Sequence, residues 1–230
     1  MTGRGGLRYV YAVCRPFEAA LQTQLTGVAG APPGLLRHRG LVAVVSTVPE
    51  GDFAEERLRD RLVDPEWLAA TARAHQGVVD ALTTVTTPLP LRPATVFRDD
   101  SGVRSMMEAR EAYFLRTLDR LDGRVEWGVR VYADPPERRG AAEEFARALH
   151  ERLSGRAEDS RLSGPSARKP LDAAYLVPRT DSEEFVELVD RAKAAAPGIR
   201  VELTGPWAAY SFTEPAGEPA AGPTGPAARG

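Results

Sequence analysis

The chain has 230 residues, 43% hydrophobic and 27% charged, with a formal net charge of −2; such a length buries one large core or two small ones, and the near-neutral balance removes any global electrostatic case for nucleic acid or an acidic membrane as partner. Cys14 is the single cysteine, so neither an internal disulfide nor a cysteine-based zinc site is available. With no secretory apolar core at the start and no run of eighteen apolar residues, the expectation is a soluble cytoplasmic protein.

"LRYVYAVC" (7–14) is short and rich in β-branched and aromatic residues, which predicts a buried strand. "LLRHRGLVAVVSTVP" (35–49) breaks at Gly40 between two apolar segments and reads as a hairpin or a turn into a central strand. "EERLRDRL" (55–62) mixes both signs and reads as an exposed, salt-laced segment. Asp64-Pro65-Glu66 is a helix start, because Asp caps free N–H groups and Pro at the first position loses nothing. Trp67, Leu68, Thr71, His75, Val78, Val79 and Leu82 then recur at three- and four-residue steps and predict one packed face. "TTPLPLRPATVF" (86–97) is too proline-rich for a helix; "ATVF" reads as a strand reached by an extended entry. Val103, Met106, Met107, Arg110, Phe114, Leu118 and Leu121 predict one long amphipathic helix ending near Gly123.

In "RVEWGVRVYAD" (124–134), Val125, Trp127, Val129 and Val131 share one strand face, and Pro135 and Pro136 end it. A helix follows from about Glu137 to Leu153, with Ala141, Phe145, Ala148 and Leu149 as its apolar side. Residues 154–170 lack periodicity and predict a mobile loop. "LDAAYLVP" (171–178) is a strand; Asp181 and Ser182 offer caps to a helix carrying Phe185, Val186, Leu188, Val189 and Ala192; "IRVELTG" (199–205) alternates as a strand. A short terminal strand is expected at 208–212, and the Pro/Gly-rich residues 214–230 predict a disordered tail. The predicted order gives an α+β fold of two domains, 1–123 and 124–213. Each is expected to be a ferredoxin-like or modified ferredoxin-like sheet with helices mainly on one face.

Catalytic signatures are missing. No phosphate-binding glycine loop, nucleophile elbow or H-E-x-x-H pattern occurs. The three histidines stand far apart, His75 on an apolar helix face where a satisfied core histidine is expected, and Cys14 sits in an apolar strand as an inert thiol. No catalytic, cofactor-binding or metal-ligating residue is assigned.

"TGPWAAYSF" (204–212) sets a Gly-Pro turn before Trp207, Tyr210 and Phe212. Large aromatic rings anchor binding partners, and they equally seal cores; strand alternation would place Tyr210 and Phe212 on one side. The stretch resembles the C-terminal signature of the gas vesicle protein F/L family, with Ala208 and Ala209 where prolines are usual. "RYVYAV" (8–13), "LVAVVSTVP" (41–49), "LPLRPATVF" (89–97), "VEWGVRVY" (125–132) and "LDAAYLVPR" (171–179) resemble further family blocks in the family's order. The chain departs from the family's pattern at 154–170, where a longer helical stretch is usual. The resemblance implies a non-catalytic accessory protein of gas vesicle assembly, cytoplasmic and associated with gas vesicles. It would bind the hydrophobic major shell subunit, and possible further partners are other gas vesicle accessory proteins; no nucleic acid, membrane or cofactor is implied. Trp207, Tyr210 and Phe212 are the protein-binding candidates, with the helix beginning at Asp64 as a second patch. A minor structural component of the vesicle wall and a small-molecule-binding module are the alternatives.

Overall fold

Strand β1 (Gly6–Cys14) is apolar on both faces, and that property organises the first half of the molecule. In a computed structural model describing residues 6–18, 25–133, 138–164, 166 and 168–214, β1 is the centre of an antiparallel sheet. The sheet includes β2 (Gly34–His38), β3 (Leu41–Pro49), β4 (Leu89–Pro90) and β5 (Val96–Phe97). Its order is β2-β3-β1-β4, with β5 also on β1. The expected hairpin is β2–β3. Its two turn residues, Arg39 and Gly40, have φ of 46° and 73°, the left-handed pair that matches strand twist. The two short pieces β4 and β5 both pair with β1, so the proline-rich segment contributes strand at each end rather than only at "ATVF".

A bulge between Val10 and Ala12 shifts the alternation of β1. Tyr9, Tyr11, Ala12 and Cys14 face one core, shared with Val78, Val79 and Leu82 of the long helix; Val10 and Val13 face another, shared with Val103, Met107, Phe114 and Leu118. Helices therefore cover both faces of this sheet, which corrects the expectation of helices mainly on one face. After two short helices, α1 (Glu50–Phe53) and α2 (Glu55–Arg61), the long helix α3 (Pro65–Leu82) lies on the first face. On the second lie α4 (Asp100–Ala109) and α5 (Glu111–Leu121). Those two replace the single expected helix, because Arg110 leaves helical geometry with φ −120° and ψ 17°.

The second sheet is antiparallel and ordered β7-β8-β6-β9, from β6 (Arg124–Tyr132), β7 (Asp159–Leu162), β8 (Leu171–Pro178) and β9 (Arg200–Trp207). Helices α6 (Arg139–Ser154) and α7 (Ser182–Ala195) contribute Ala146, Leu149, Phe185 and Val189 to a core with Val125, Trp127, Val129 and Val131. Four corrections belong here. Residues 154–170 contain β7, held by backbone pairing to β8. Helix α6 buries Ala142, Ala146, Leu149 and Leu153, leaving the expected Ala141 and Ala148 exposed, since the two leucines set the buried side. The Gly205-Pro206 peptide is cis and lies inside β9, not at a turn before Trp207. The expected terminal strand is a 3₁₀ turn at Tyr210–Phe212. Pro135, Pro136 and the expected disordered tail, apart from Glu214, lie outside the described residues.

Candidate functional site

The C-terminal segment ties the two sheets together. Strand β9 runs beside β6 with Trp207 opposite Glu126, next to a register shift between Glu126 and Gly128. Gly205 makes this approach possible. Its φ of 128° is disfavoured for any side chain, and a Cβ there would stand 2.8 Å from the Glu126 carbonyl and 3.0 Å from the Trp127 ring. Beyond Trp207 the chain crosses to the first sheet. Ala208 and Tyr210 pack into the core under Tyr9 and Tyr11, while Ala209 and Phe212 join Leu121 and Leu176 in a small core between the halves.

Polar contacts fix the crossing. The Glu126 carboxylate accepts from the Ser211 N–H and from the Ser211 hydroxyl, each at 2.8 Å. Arg120 donates to the Phe212 carbonyl and the Tyr113 hydroxyl to the Thr213 carbonyl. The Arg161 guanidinium lies 5.4 Å from the Phe212 ring centroid. Because these partners come from β6, α5 and β7, the segment closes only when both halves are in place.

A cleft of about 260 Å³ opens at this seam, lined by Ala72, His75, Gln76, Pro93, Glu126, Trp207 and Tyr210. His75 comes from the packed face of α3, and its Nδ1 is 3.0 Å from Tyr9 Oη. Tyr9 Oη also accepts from the Ala94 N–H at 3.0 Å. Its own proton is therefore assigned to His75 Nδ1, which leaves the ring proton of neutral His75 on Nε2. Burial holds the His75 pKa down to about 4, the Leu91 backbone pulling the other way. Burial also raises the Tyr210 phenol, whose buried oxygen has no hydrogen-bond partner. For Glu126, only 9% exposed, burial raises the pKa, and the two Ser211 bonds oppose it. Among the described residues no salt bridge reaches Glu126. No Ser, Thr, Cys or Lys lines the cleft to act as nucleophile.

A second feature lies at the start of α3. Asp64 caps the helix, its Oδ1 accepting from Glu66 N–H at 3.0 Å and Trp67 N–H at 3.2 Å. That cap fixes the corner between α2 and α3, where Val63 is 82% exposed, with Leu62 and Leu68 also exposed. Trp67 leans inward on Phe53, ring centroids 5.4 Å apart. From Leu68, the uncharged Ala72 and Gln76 follow at four-residue steps on one side of α3 and lead into the cleft.

The three aromatic candidates do not share a face. Trp207 is half-buried at the cleft, Tyr210 half-buried against the first core, and Phe212 fully buried between the halves. Of the helix positions expected to pack, Thr71, His75, Val78, Val79 and Leu82 do; Leu68 points out. Sequence reasoning overlooked Glu126, and the available signal was one acid within "VEWGV" on a strand with few other charges. Cys14 is buried, its thiol pushed up to about 12 by burial. Among the described residues no group of three or more His, Cys, Asp or Glu is placed to hold a metal ion. No helix there is long and apolar enough to cross a membrane.

Comparison with known proteins gives one consistent answer. The profile of the family described as "Gas vesicle synthesis protein GvpL/GvpF" matches residues 7–141 and 136–214. Gas vesicle protein L of Streptomyces sp. (strain CB03234) is 50% identical over 247 residues, covering 90% of this chain and 92% of that protein. Gas vesicle protein F of the same strain is 28% identical over 249 residues, covering 90% and 99%. The crystal structure of GvpF from Anabaena sp. PCC7120 superposes with a TM-score of 0.74 at 17% identity, over 91% of this chain and 96% of that one. GvpF from Microcystis aeruginosa gives 0.72 at 18%, over 91% and 99%. These structures share the mixed α/β fold with its two antiparallel sheets. The chain belongs to the gas vesicle synthesis protein GvpL/GvpF family.

Proposed function

We propose that this chain is a non-catalytic accessory protein of gas vesicle assembly, cytoplasmic and associated with gas vesicles, that binds the hydrophobic major shell subunit. The observation that carries the reading is the exposed corner of Leu62, Val63 and Leu68, continued along α3 by Ala72 and Gln76 to Trp207. Val63 is 82% exposed, with none of the described residues covering it, and an apolar patch held on a rigid capped helix is what an apolar partner requires. Trp207 supplies an aromatic edge to this surface, while Tyr210 and Phe212 hold it in place. Membership of a family described as gas vesicle synthesis proteins supports the biological setting.

We read the two sheets as two domains divided after Gly123. The second, with β-α-β-β-α-β connectivity, is taken as ferredoxin-like and the first as a modified form. The test is co-expression with the shell subunit and pull-down, comparing the natural chain with a Val63→Asp/Leu68→Ser variant. Capture is expected to fall at least tenfold at unchanged thermal midpoint, since exposed positions contribute little to folding. Equal capture by the variant rejects this surface. Stoichiometric retention of the chain in isolated, washed vesicles would instead make it a wall component.

A further inference from the structure

The seam cleft contains a buried acid with no counter-charge among the described residues. Glu126 is 9% exposed, its carboxylate accepts only from the neutral Ser211 among the described residues, and no Lys or Arg lines the cleft. An ionised carboxylate kept from water without a cation is costly. Elsewhere the chain pairs its acids readily: Asp172 has Arg130 and Lys169, Glu108 has His38 and Arg39, and Asp159 has Arg161 and Arg120. Glu126, like the partly buried Asp80, has no salt bridge among the described residues, and it lies in a cleft lined by residues of both halves.

The rest of the lining fits the same missing group. Trp207 stands opposite Glu126 across the β6–β9 pair and offers an aromatic wall, and Tyr210 brings a second ring. Pro93 and Ala72 add apolar surface, and the Gln76 amide carbonyl is an available acceptor. His75 stays neutral there, so it adds no competing positive charge. A carboxylate beside an indole face, in a cleft of about 260 Å³, is a receptor for one flat or compact cation.

We propose that the seam cleft receives a cationic side chain of a partner protein, an arginine above all, whose guanidinium stacks on Trp207 and donates to the Glu126 carboxylate. Arginine suits the site better than lysine because its planar fork stacks on a ring and hydrogen-bonds a carboxylate at once. Each Glu126 oxygen accepts a single bond from Ser211, and a carboxylate oxygen accommodates two. The cleft adjoins the α3 stripe, so the contact would set the register of whatever lies along that helix. The proposal stands whether or not that partner is the shell subunit.

The test is an NMR titration that follows the indole N–H signal of Trp207, assigned against Trp67 and Trp127. The probes are N-acetyl-arginine amide, blocked at both ends as a residue in a chain is, its neutral citrulline analogue, and free arginine. The blocked arginine is expected to shift the Trp207 signal saturably in the millimolar range and the citrulline analogue to bind about tenfold more weakly or not at all. Glu126→Gln keeps the shape and an acceptor for Ser211 and is expected to abolish the difference between the two probes. Trp207→Leu, which leaves the carboxylate alone, is expected to weaken the arginine probe about two- to fivefold. Unfolding scans of both variants establish that each is folded. Equal binding of the arginine and citrulline probes, no saturable shift, or an unchanged preference in folded Glu126→Gln overturns the proposal. Free arginine binding more than about tenfold tighter than the blocked form also overturns it, by pointing to a small-molecule site.

Discussion

Replacing His75 by Gln should remove a defined part of the acid sensitivity of this protein. His75 is 1% exposed, and burial lowers its pKa from 6.5 to about 4. In the unfolded chain it takes up a proton near pH 6.5, while the folded state refuses that proton until about pH 4. The contribution is thus fully present above pH 6.5 and is lost as pH falls towards 4. At pH 5 the unfolded state gains a factor of about 33 from protonation and the folded state about 1.1. The ratio of about 30 corresponds to about 2 kcal/mol of lost stability relative to pH 8.

The assay is urea unfolding of the natural chain and His75→Gln at half-unit steps from pH 8 to pH 5. His38 and His150 are present in both proteins and cancel in the difference. The variant starts less stable, because it weakens the contact to Tyr9. Its stability should then fall by about 2 kcal/mol less than that of the natural chain across the range. Parallel curves would refute the buried neutral imidazole and, with it, the packing of α3 on β1.

Other positions give separate outcomes. Phe212→Ala, emptying the small core between the halves, should cost about 3–5 kcal/mol in chemical unfolding; a loss under about 1 kcal/mol would mean the C-terminal crossing is dispensable. Glu126 has its folded pKa raised by burial, so its stabilising effect is present at low pH and lost as pH rises through that raised value. Glu126→Gln should accordingly flatten this loss and leave the thermal midpoint at pH 7 equal or higher, and a lower midpoint would show that the charged form is the stabilising one. Asp64→Ala removes two helix-capping bonds and should cost about 1 kcal/mol by urea unfolding. Gly205→Ala combines a disfavoured φ with a 2.8 Å approach to the Glu126 carbonyl, and should release the 206–214 segment, detectable as faster amide exchange at Ser211.

Legibility in the sequence followed how local each feature is. Helix α3 was readable because Asp64-Pro65 fixes its start by hydrogen bonding to its own first turn, and the hairpin because Gly40 adopts the φ its turn demands. Strand β7 was unreadable: "DSRL" has neither alternation nor β-branched residues, and what makes it a strand is the backbone of β8 alongside. Helix α6 carries four alanines among its sixteen residues, so its apolar side was ambiguous by one position until Leu149 and Leu153 packed.

The aromatic ending shows the same limit at the candidate site. Period-two alternation placed Tyr210 and Phe212 together, whereas a 3₁₀ turn sends one towards β1 and the other between the sheets. Both destinations lie far away in sequence, beyond any local pattern. Glu126 alternated to the expected outer face of β6, where the returning segment bonds it through Ser211, 85 residues away in sequence. Val63 needed no fold to be seen as apolar, but its exposure depends on the sharp corner that the Asp64 cap creates.

The most direct measurement of the central claim is hydrogen exchange on the full chain, alone and saturated with the major shell subunit. Protection is expected along residues 62–76 and around Trp207, with the β7 edge and the outer face of α6 unchanged. Protection confined to those latter elements, or none anywhere while the complex persists, would contradict the claim that the apolar corner of α3 is where the partner is held.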